Sequence, residues 1–215
     1  MPRRAVVYFD YMCSYSWRLA ELIEMTAEDS DMRFDWRHFS MYQHDYDQRN
    51  GRPMSHNGRP HWQLWNQRID EGDGSGCKGL LPFLASAASR RQGEQAYRRF
   101  RLGLLRAAHL DYRPLDRSTI LALAVDAHLH MPTFIEDLAN PESRTMLAQE
   151  HMSAVAADVV STPTVVFPGS HTAHLRLQHL PVDAAEAVNL LLDTRRLLER
   201  YPFLHTLTRP ANKGN

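Results

Sequence analysis

Two short segments of the 215-residue chain carry side chains suited to thiol chemistry. The first is Cys13-Ser-Tyr-Ser16, which places a cysteine and a serine three residues apart. If Cys13 stands where a helix begins, free backbone N–H groups and the positive end of the helix dipole favour its thiolate. Ser16 then lies one turn further along the same face. We expect its hydroxyl to donate a hydrogen bond to the sulfur, although it cannot form a disulfide.

The second segment is Ser161-Thr-Pro-Thr164, which directly precedes a run of β-branched residues. Proline at the start of a strand removes one ladder donor, and a cis bond before it is a tolerated feature that defines the local shape. If the bond before Pro163 is cis, we expect the backbone of Thr162 to face a bound thiol or peptide. A trans Pro163 that only begins the strand is the alternative, as is an inert, buried Cys13.

The elements around these segments follow the order strand, helix, strand, helical block, strand, strand and helix. The predicted strands are 5–9, 34–39, 164–167 and 173–177, and the predicted last helix is 182–200. The early strand–helix–strand unit predicts a parallel pair, and the late pair of strands predicts a hairpin. Residues 40–60 have the composition of a loop or linker. The stretch 61–158 has helical periodicity throughout, which predicts five or six helices and no strand.

This order predicts an α/β fold interrupted by an all-α insertion. We predict that residues 1–60 and 159–215 form the two parts of one domain and that residues 61–158 form the helical insertion. Within the insertion, Thr133 with Glu136 predicts one helix start through a capping box, and Asn140-Pro141 predicts another.

Composition excludes several other classes of protein. The 25 Lys+Arg balance the 25 Asp+Glu, so no long-range field gathers phosphates, and we expect no nucleic-acid partner. No apolar run approaches the roughly 20 residues of a membrane span, and 5–9 is too short for an export signal. We therefore expect a cytoplasmic protein without membrane contact. Two cysteines are too few for a disulfide scaffold, which leaves them a chemical or an incidental role.

Three further groups of side chains have ordinary structural explanations. The histidines at 128, 130, 171 and 174 lack partners at ligand spacing, so we predict no metal site. The arginines at 90, 91, 98, 99, 101 and 106 form a stripe, which predicts a solvated helix face rather than an anion site. Trp62, Trp65 and Phe83 either pack in the core or line a cleft between the domains.

The two motifs in this order resemble the DsbA-like branch of the thioredoxin superfamily, in which a helical domain interrupts a thioredoxin fold. The similar segments are Tyr8-Phe-Asp-Tyr-Met-Cys-Ser-Tyr-Ser-Trp17, Lys78-Gly-Leu-Leu-Pro-Phe-Leu-Ala85 and Thr162-Pro-Thr-Val-Val-Phe167. The branch includes FrnE-type oxidoreductases, mycothiol-dependent reductases, 2-hydroxychromene-2-carboxylate isomerases and kappa-class glutathione transferases. The resemblance covers nearly the whole chain and implies a thioredoxin-like α/β fold.

The resemblance also implies roles for the site residues. Cys13 takes the place of the nucleophile and Ser16 that of the usual resolving cysteine, while Pro163 is the cis-proline. Tyr15 and Thr162, with Pro163, belong to the surface that binds the thiol or substrate. The oxidoreductases usually carry Cys-x-x-Cys, where this chain has Cys-x-x-Ser. The isomerases and transferases usually begin with Ser and continue Pro-Tyr-Ser, of which only Tyr15-Ser16 agrees.

The leading hypothesis is a monothiol thiol–disulfide oxidoreductase. Cys13 attacks a disulfide, and a low-molecular-weight thiol of the glutathione, mycothiol or bacillithiol type serves as co-substrate and releases the product. The substrate is a small-molecule or protein thiol or disulfide, and a homodimer is left open.

Three alternatives stay open at this point. Cys77 resolves the mixed disulfide instead, provided that its Cα comes within about 7 Å of that of Cys13. A transferase- or isomerase-like enzyme binds a thiol cofactor in the same groove without disulfide exchange. Finally, a redox-inactive thioredoxin-fold module binds a partner without turnover.

Overall fold

The structure, a computed structural model, describes residues 3–27, 32–50, 62–69, 79–169 and 171–204. Its strands are β1 (Arg3–Phe9), β2 (Met32–His38), β3 (Thr164–Phe167) and β4 (His171–His174). Its helices are α1 (Ser14–Met25), α2 (Met41–Asn50), α3 (Leu80–Arg90), α4 (Glu94–His109), α5 (Arg117–Asp126), α6 (Met131–Leu138), α7 (Pro141–Ala156) and α8 (Ala184–Arg200). A short 3-10 helix covers Leu64–Asn66. No helix in these ranges is long and apolar enough to cross a membrane.

The four strands form one mixed sheet in the order β2-β1-β3-β4. β1 is parallel to β2, with Val7 opposite Trp36, which confirms the pairing predicted from the strand–helix–strand order. β1 is antiparallel to β3, and Tyr8 lies opposite Thr164. The central place of β1 explains why its sequence is an unbroken apolar run, because both of its faces are covered.

The core follows the alternation of side chains along β1. Ala5, Val7 and Phe9 lie in the main core, which also contains buried residues of α1 and of the helical block. Tyr8 belongs to a smaller cluster that includes Val155 of α7. The main core thus joins the sheet and the helical block in one apolar cluster. The predicted domain limits stay a prediction.

The helical block contains α3 to α7 and the 3-10 helix, and the described part of 61–158 contains no strand. This confirms the helical prediction for that part of the chain. The predicted start at Asn140 is also confirmed, since its side chain accepts a hydrogen bond from the Glu142 amide at 2.9 Å and Pro141 is the first helical residue.

The predicted capping box at Thr133 is wrong. The α6 helix begins at Met131, with His130 as its N-cap, so Thr133 lies in the first turn. Its hydroxyl oxygen is 2.8 Å from Nδ1 of His130. Pro132 explains the earlier start, because a proline is well suited to the first turn of a helix.

The prediction of a loop over 40–60 is wrong for 41–50, which forms α2, while 51–60 lies outside the described residues. Ser40 caps the helix, since its Oγ accepts a hydrogen bond from the Gln43 amide at 3.1 Å. The buried face carries Gln43 and His44 rather than apolar side chains. A helix whose buried face is polar produces no hydrophobic periodicity, which is why the pattern failed to reveal it.

The C-terminal hairpin is confirmed, but its second strand begins earlier than predicted. Phe167 lies opposite His171 and Thr164 opposite His174, so β4 covers 171–174 rather than 173–177. The alternating apolar residues beyond it, Leu175 and Leu177, pack against the main core after the ladder has ended. The last helix agrees with its prediction within two residues.

The arginine stripe is only partly a solvated face. Arg98 and Arg106 are exposed and bind Glu24 and Glu21 of α1 through charge-assisted hydrogen bonds. Arg101, however, is 2% exposed, and its guanidinium lies 4.2 Å from the centre of the Trp36 ring. Arg90 is also largely buried, as described below. Trp65 and Phe83 lie in the main core, while Trp62 is partly buried against it.

Gln43→Ala should destabilise the fold more than an exposed substitution in the same helix. The Gln43 side-chain oxygen accepts a hydrogen bond from the buried Leu64 amide at 2.7 Å, and its Nε2 donates to the Trp62 carbonyl at 3.2 Å. Without the Gln43 side chain, the buried Leu64 amide has no acceptor, which lowers the free energy of unfolding by about 1–3 kcal/mol. Urea unfolding of Gln43→Ala and of the control Gln48→Ala, whose side chain is exposed, measures the difference. Equal free energies of unfolding would contradict this role.

Candidate active site

Cys13 is the N-cap residue of α1, at the turn that follows β1. Its backbone is extended, with φ −102° and ψ 114°, and its carbonyl accepts the Ser16 amide at 3.0 Å. The side chain is partly exposed, and the first turn of α1 contains no acidic residue. The sulfur therefore lies where the helix dipole favours a negative charge.

The Thr162–Pro163 peptide bond is cis and lies beside this turn. The Cys13 Sγ donates a hydrogen bond to the Thr162 carbonyl at 3.3 Å, across 149 residues of sequence. The antiparallel pairing of β1 with β3 brings the two segments together, because Cys13 follows β1 and Thr162 precedes β3. Thr162 is buried, and its hydroxyl oxygen has no hydrogen-bond partner in the structure.

Ser16 does not occupy the place that we expected from its spacing. Its side chain is fully buried, and its Oγ accepts a hydrogen bond from the Asp10 amide at 3.3 Å. Ser16 and Cys13 both lie in the described part of the chain, and the Ser16 hydroxyl donates no hydrogen bond to the Cys13 sulfur there. The Asp10 amide, at the end of β1, would otherwise lack an acceptor, so Ser16 stabilises the turn below the sulfur.

Tyr15 lies at the rim of the site, and two arginines lie close to its ring. The Arg18 guanidinium is 5.6 Å from the centre of the Tyr15 ring, and that of Arg176 is 5.3 Å from it. The Nε2 atom of His174 is 3.2 Å from the Thr162 carbonyl oxygen. Burial, together with the charge of Arg176, lowers the pKa of His174 against the raising effect of that hydrogen bond.

Asp10 is a buried carboxylate directly before the Cys13 turn. Its Oδ1 accepts a hydrogen bond from the Met12 amide at 2.9 Å, and its Oδ2 accepts one from the Met41 amide at 2.8 Å. The carboxylate therefore connects the turn to the first residue of α2. Burial raises the pKa of Asp10 to about 6, although both amides oppose the rise.

A chain of buried polar contacts continues from Tyr11 into the helical block. The Tyr11 hydroxyl donates to Ser86 Oγ at 2.7 Å, and Ser86 Oγ is 2.9 Å from His38 Nε2. Nδ1 of His38 lies 2.6 Å from Glu150, which also binds Arg90. Burial of Glu150 acts to raise its pKa, but the His38 ring and Arg90 outweigh this and lower it to about 2.

The Ser86–His38–Glu150 contacts have the distances of a hydrolase triad, but Ser86 and His38 are fully buried. Ser86 also accepts the Tyr11 hydroxyl, and no substrate can reach it. The chain of contacts therefore supports the turn instead of forming a second active site. His109 of α4 supports the same turn, since its Nε2 lies 2.8 Å from the Tyr11 carbonyl oxygen.

The chain is similar to known proteins in its structure but not in its sequence. No family model matches the chain, and no curated protein matches its sequence. Among solved structures, a candidate protein disulfide isomerase from Nitrosomonas europaea is 14% identical, with 94% of this chain and 100% of that chain covered and a TM-score of 0.61. A 2-hydroxychromene-2-carboxylate isomerase is 12% identical, with the same coverage and a TM-score of 0.60. The cytosolic disulfide reductase DsbM from Pseudomonas aeruginosa, solved with GSH, is 14% identical over 94% of this chain and 100% of its own, with a TM-score of 0.54.

The chain has the DsbA-like thioredoxin fold. The helical block between β2 and β3 corresponds to the insertion expected from the resemblance, so the predicted fold class is confirmed. Because all three sequences are below 25% identical, the likeness concerns the fold.

The structure brings Cys13 and the Thr162–Pro163 segment together, with Tyr15 at the rim and Ser16 buried beneath the turn. The roles of these residues stay predictions. Cys77 lies outside the described residues. Sequence reasoning missed Asp10. An aspartate between a buried strand and a tight turn is a usable signal, because its side chain accepts amides two residues on.

The long-range supports of the turn, His109 and Glu150, carry no such local signal. They come from α4 and α7, far from Cys13 in sequence. In the described part of the chain, no group of three His, Cys, Asp or Glu side chains is arranged to hold a metal ion.

Asp10→Asn should change how the stability of this DsbA-like fold depends on pH. The pKa of Asp10 is about 6 in the folded protein and 3.8 ordinarily, so folding favours the protonated carboxyl. Its favourable contribution is present below pH 3.8 and is lost as the pH rises through about 6, a change of about 3 kcal/mol. The unfolding free energy of the wild type minus that of Asp10→Asn should fall by this amount between pH 3 and pH 7. A difference that stays constant across this range contradicts the assignment.

Ser86→Ala should destabilise the protein by about 2 kcal/mol, because it leaves the Tyr11 hydroxyl and the His38 ring without a partner in the interior. Ser89→Ala is the matched control on the same helix. The Ser89 Oγ donates at 2.7 Å to the Ser86 carbonyl, which also serves the helix ladder, so its loss should cost less. Chemical denaturation of both variants measures the contrast, and a larger loss for Ser89→Ala would exclude the proposed support.

Proposed function

We propose that this protein is a thiol–disulfide oxidoreductase that works through a single active-site cysteine. One observation carries the proposal: the partly exposed Cys13 sulfur lies at the N-terminus of α1 and contacts the Thr162 carbonyl of the cis-proline segment. A thiolate at a helix N-terminus is a suitable nucleophile toward disulfides. The DsbA-like fold, shared with proteins described as disulfide reductases and oxidoreductases, supports the same reaction class.

The reaction consists of two exchange steps. In the first, the Cys13 thiolate attacks one sulfur of a disulfide R–S–S–R′, the Cys13–S–S–R bond forms, and R′S⁻ leaves and takes a proton from water. In the second, the thiolate of a low-molecular-weight thiol attacks this mixed disulfide. The Cys13 thiolate is regenerated, and the small thiol leaves joined to R by a new disulfide bond.

An external thiol is required because the position of the usual second cysteine holds Ser16. A hydroxyl cannot exchange with a disulfide, and Ser16 is in addition fully buried. A thiol of the glutathione, mycothiol or bacillithiol type meets the need, since such thiols are abundant in reducing compartments. A cytoplasmic location is therefore part of the proposal.

In the resting site the Cys13 thiol donates a hydrogen bond to the Thr162 carbonyl. Ionisation removes this hydrogen bond and frees the sulfur for attack. The Thr162 backbone then borders the approach of the incoming disulfide. Tyr15 and Pro163 complete the binding surface in this proposal.

A second candidate is a transferase- or isomerase-like enzyme that binds a thiol cofactor without disulfide exchange. The agreement of Tyr15-Ser16 with the isomerase motif and the fold shared with a 2-hydroxychromene-2-carboxylate isomerase favour it. It differs from the first candidate in one measurable respect, because it leaves Cys13 unmodified.

Incubation with oxidised glutathione should place one glutathione adduct on Cys13, since the partly exposed thiolate attacks the disulfide. Peptide mass spectrometry locates the adduct, and added reduced glutathione should remove it. Cys77→Ser should retain both steps, while Cys13→Ser should abolish the adduct at position 13.

Other outcomes separate the alternatives. Release of the adduct only in chains that retain Cys77, with a Cys13–Cys77 disulfide, would identify Cys77 as the resolving residue. Tight binding of reduced glutathione to an unmodified Cys13 would support the isomerase-like candidate. The absence of both an adduct and glutathione binding would contradict both enzymatic candidates, and the redox-inactive binding module would remain.

A further inference from the structure

The rim of the Cys13 site carries two arginines that contact one aromatic ring. Arg18 lies one turn beyond Tyr15 on α1, and Arg176 follows β4. Their guanidinium carbons are 5.6 and 5.3 Å from the centre of the Tyr15 ring, and Tyr15 is two residues from the nucleophile in sequence. We call Arg18 and Arg176 the arginine pair.

The arginine pair is also close to the sulfur through contacts in space. Cys13 Sγ is 3.3 Å from the Thr162 carbonyl oxygen, which is 3.2 Å from His174 Nε2, which in turn is 3.3 Å from Arg176 Nε. On the other side, the charge of Arg18 acts together with burial to lower the pKa of His109, which contacts the turn.

The charges of the arginine pair are not neutralised by the surrounding protein. Within the described ranges, neither Arg18 nor Arg176 has a carboxylate partner; Arg176 instead donates to Ser161 Oγ at 3.3 Å. The nearest acid on the same helix, Glu21, is already bound by Arg106 at 2.6 Å and by the indole of Trp17 at 2.9 Å.

Two arginines elsewhere in the fold do have carboxylate partners. Arg98 binds Glu24 at 2.6 Å and Arg37 binds Asp35 at 2.9 Å. The buried carboxylate Asp10 is enclosed by backbone amides and is unavailable to the rim. The described residues around the site therefore present net positive charge beside the nucleophile, although the whole chain has a formal net charge of zero.

We propose that the arginine pair is a subsite for a carboxylate on the small disulfide or thiol that reaches Cys13. This inference rests on the proposed function and narrows its substrate class. A planar guanidinium matches a carboxylate with two parallel hydrogen bonds, and two of them beside Tyr15 leave one edge of each free of an acidic partner.

The subsite separates the small thiols that fit the proposed reaction. Glutathione and bacillithiol carry free carboxylates, whereas mycothiol carries none. The arginine pair thus favours the first two as co-substrates over mycothiol. Among disulfides, it favours those with a carboxylate a few bonds from the sulfur over neutral or cationic ones.

Two alkylating reagents test the subsite without any disulfide exchange. Iodoacetate and iodoacetamide react with the same thiolate and lose the same iodide, but only iodoacetate carries a carboxylate. Peptide mapping gives the rate at which each reagent modifies Cys13. The iodoacetate rate divided by the iodoacetamide rate is then divided by the same ratio for N-acetylcysteine. Because both reagents attack the thiolate, this normalised ratio does not depend on the thiolate fraction. We expect the normalised ratio to be about ten in favour of iodoacetate in the wild type, a tenfold preference that is equivalent to about 1.4 kcal/mol.

The double variant Arg18→Gln/Arg176→Gln should bring the normalised ratio close to one, and high salt should lower the wild-type ratio by screening. Arg98→Gln is the control, because it removes an exposed arginine of a different surface and should keep the tenfold preference. Reaction of the double variant with iodoacetamide and an unchanged circular dichroism spectrum verify that it folds.

A wild-type ratio near one, or a double variant that keeps the tenfold preference, would overturn the subsite. These results leave the disulfide exchange at Cys13 unaffected. Conversely, a Cys13 that forms no adduct with oxidised glutathione but prefers iodoacetate in an arginine-dependent way would retain the anion subsite and overturn the oxidoreductase.

Discussion

The antiparallel pairing of β1 with β3 brings the two halves of the site into contact. Tyr8 lies opposite Thr164, so the residue five positions after Tyr8 and the residue two positions before Thr164 meet at the same end of the sheet. A shift of two residues in this register would displace the Thr162 carbonyl by about 7 Å and separate it from Cys13. The packing of β1 fixes the register, because a slip of one residue would exchange the side chains that face the two different core clusters.

The α2 helix and the helical block hold the same turn from its other sides. Asp10 connects it to α2, the Tyr11 side chain to α3 through Ser86, and the Tyr11 carbonyl to α4 through His109. These contacts are buried or partly buried, so each stabilises the turn only while its partner stays in place. The insertion is therefore a support for the position of Cys13 as well as a second layer of core.

Sequence patterns predicted the parts of the site that depend on local order. Cys13 and Thr162 were found because each lies at a strand boundary, where composition changes sharply. The pattern missed α2, since its buried face is formed by polar residues such as Gln43. Spacing alone also misplaced Ser16, whose hydroxyl binds a backbone amide that no sequence pattern reveals. The burial of Arg101 was missed because it depends on aromatic rings from β2 and α4, which come together only in the folded chain.

The long separation between Cys13 and Thr162 has a consequence for the newly made chain. The ribosome adds roughly 5–20 residues each second, so the 149 residues between them take on the order of 10–30 s. During that interval the cysteine has emerged, but the carbonyl that will cover it has not been synthesised. The thiol therefore lacks its hydrogen-bond acceptor until β3 has been synthesised and has paired with β1.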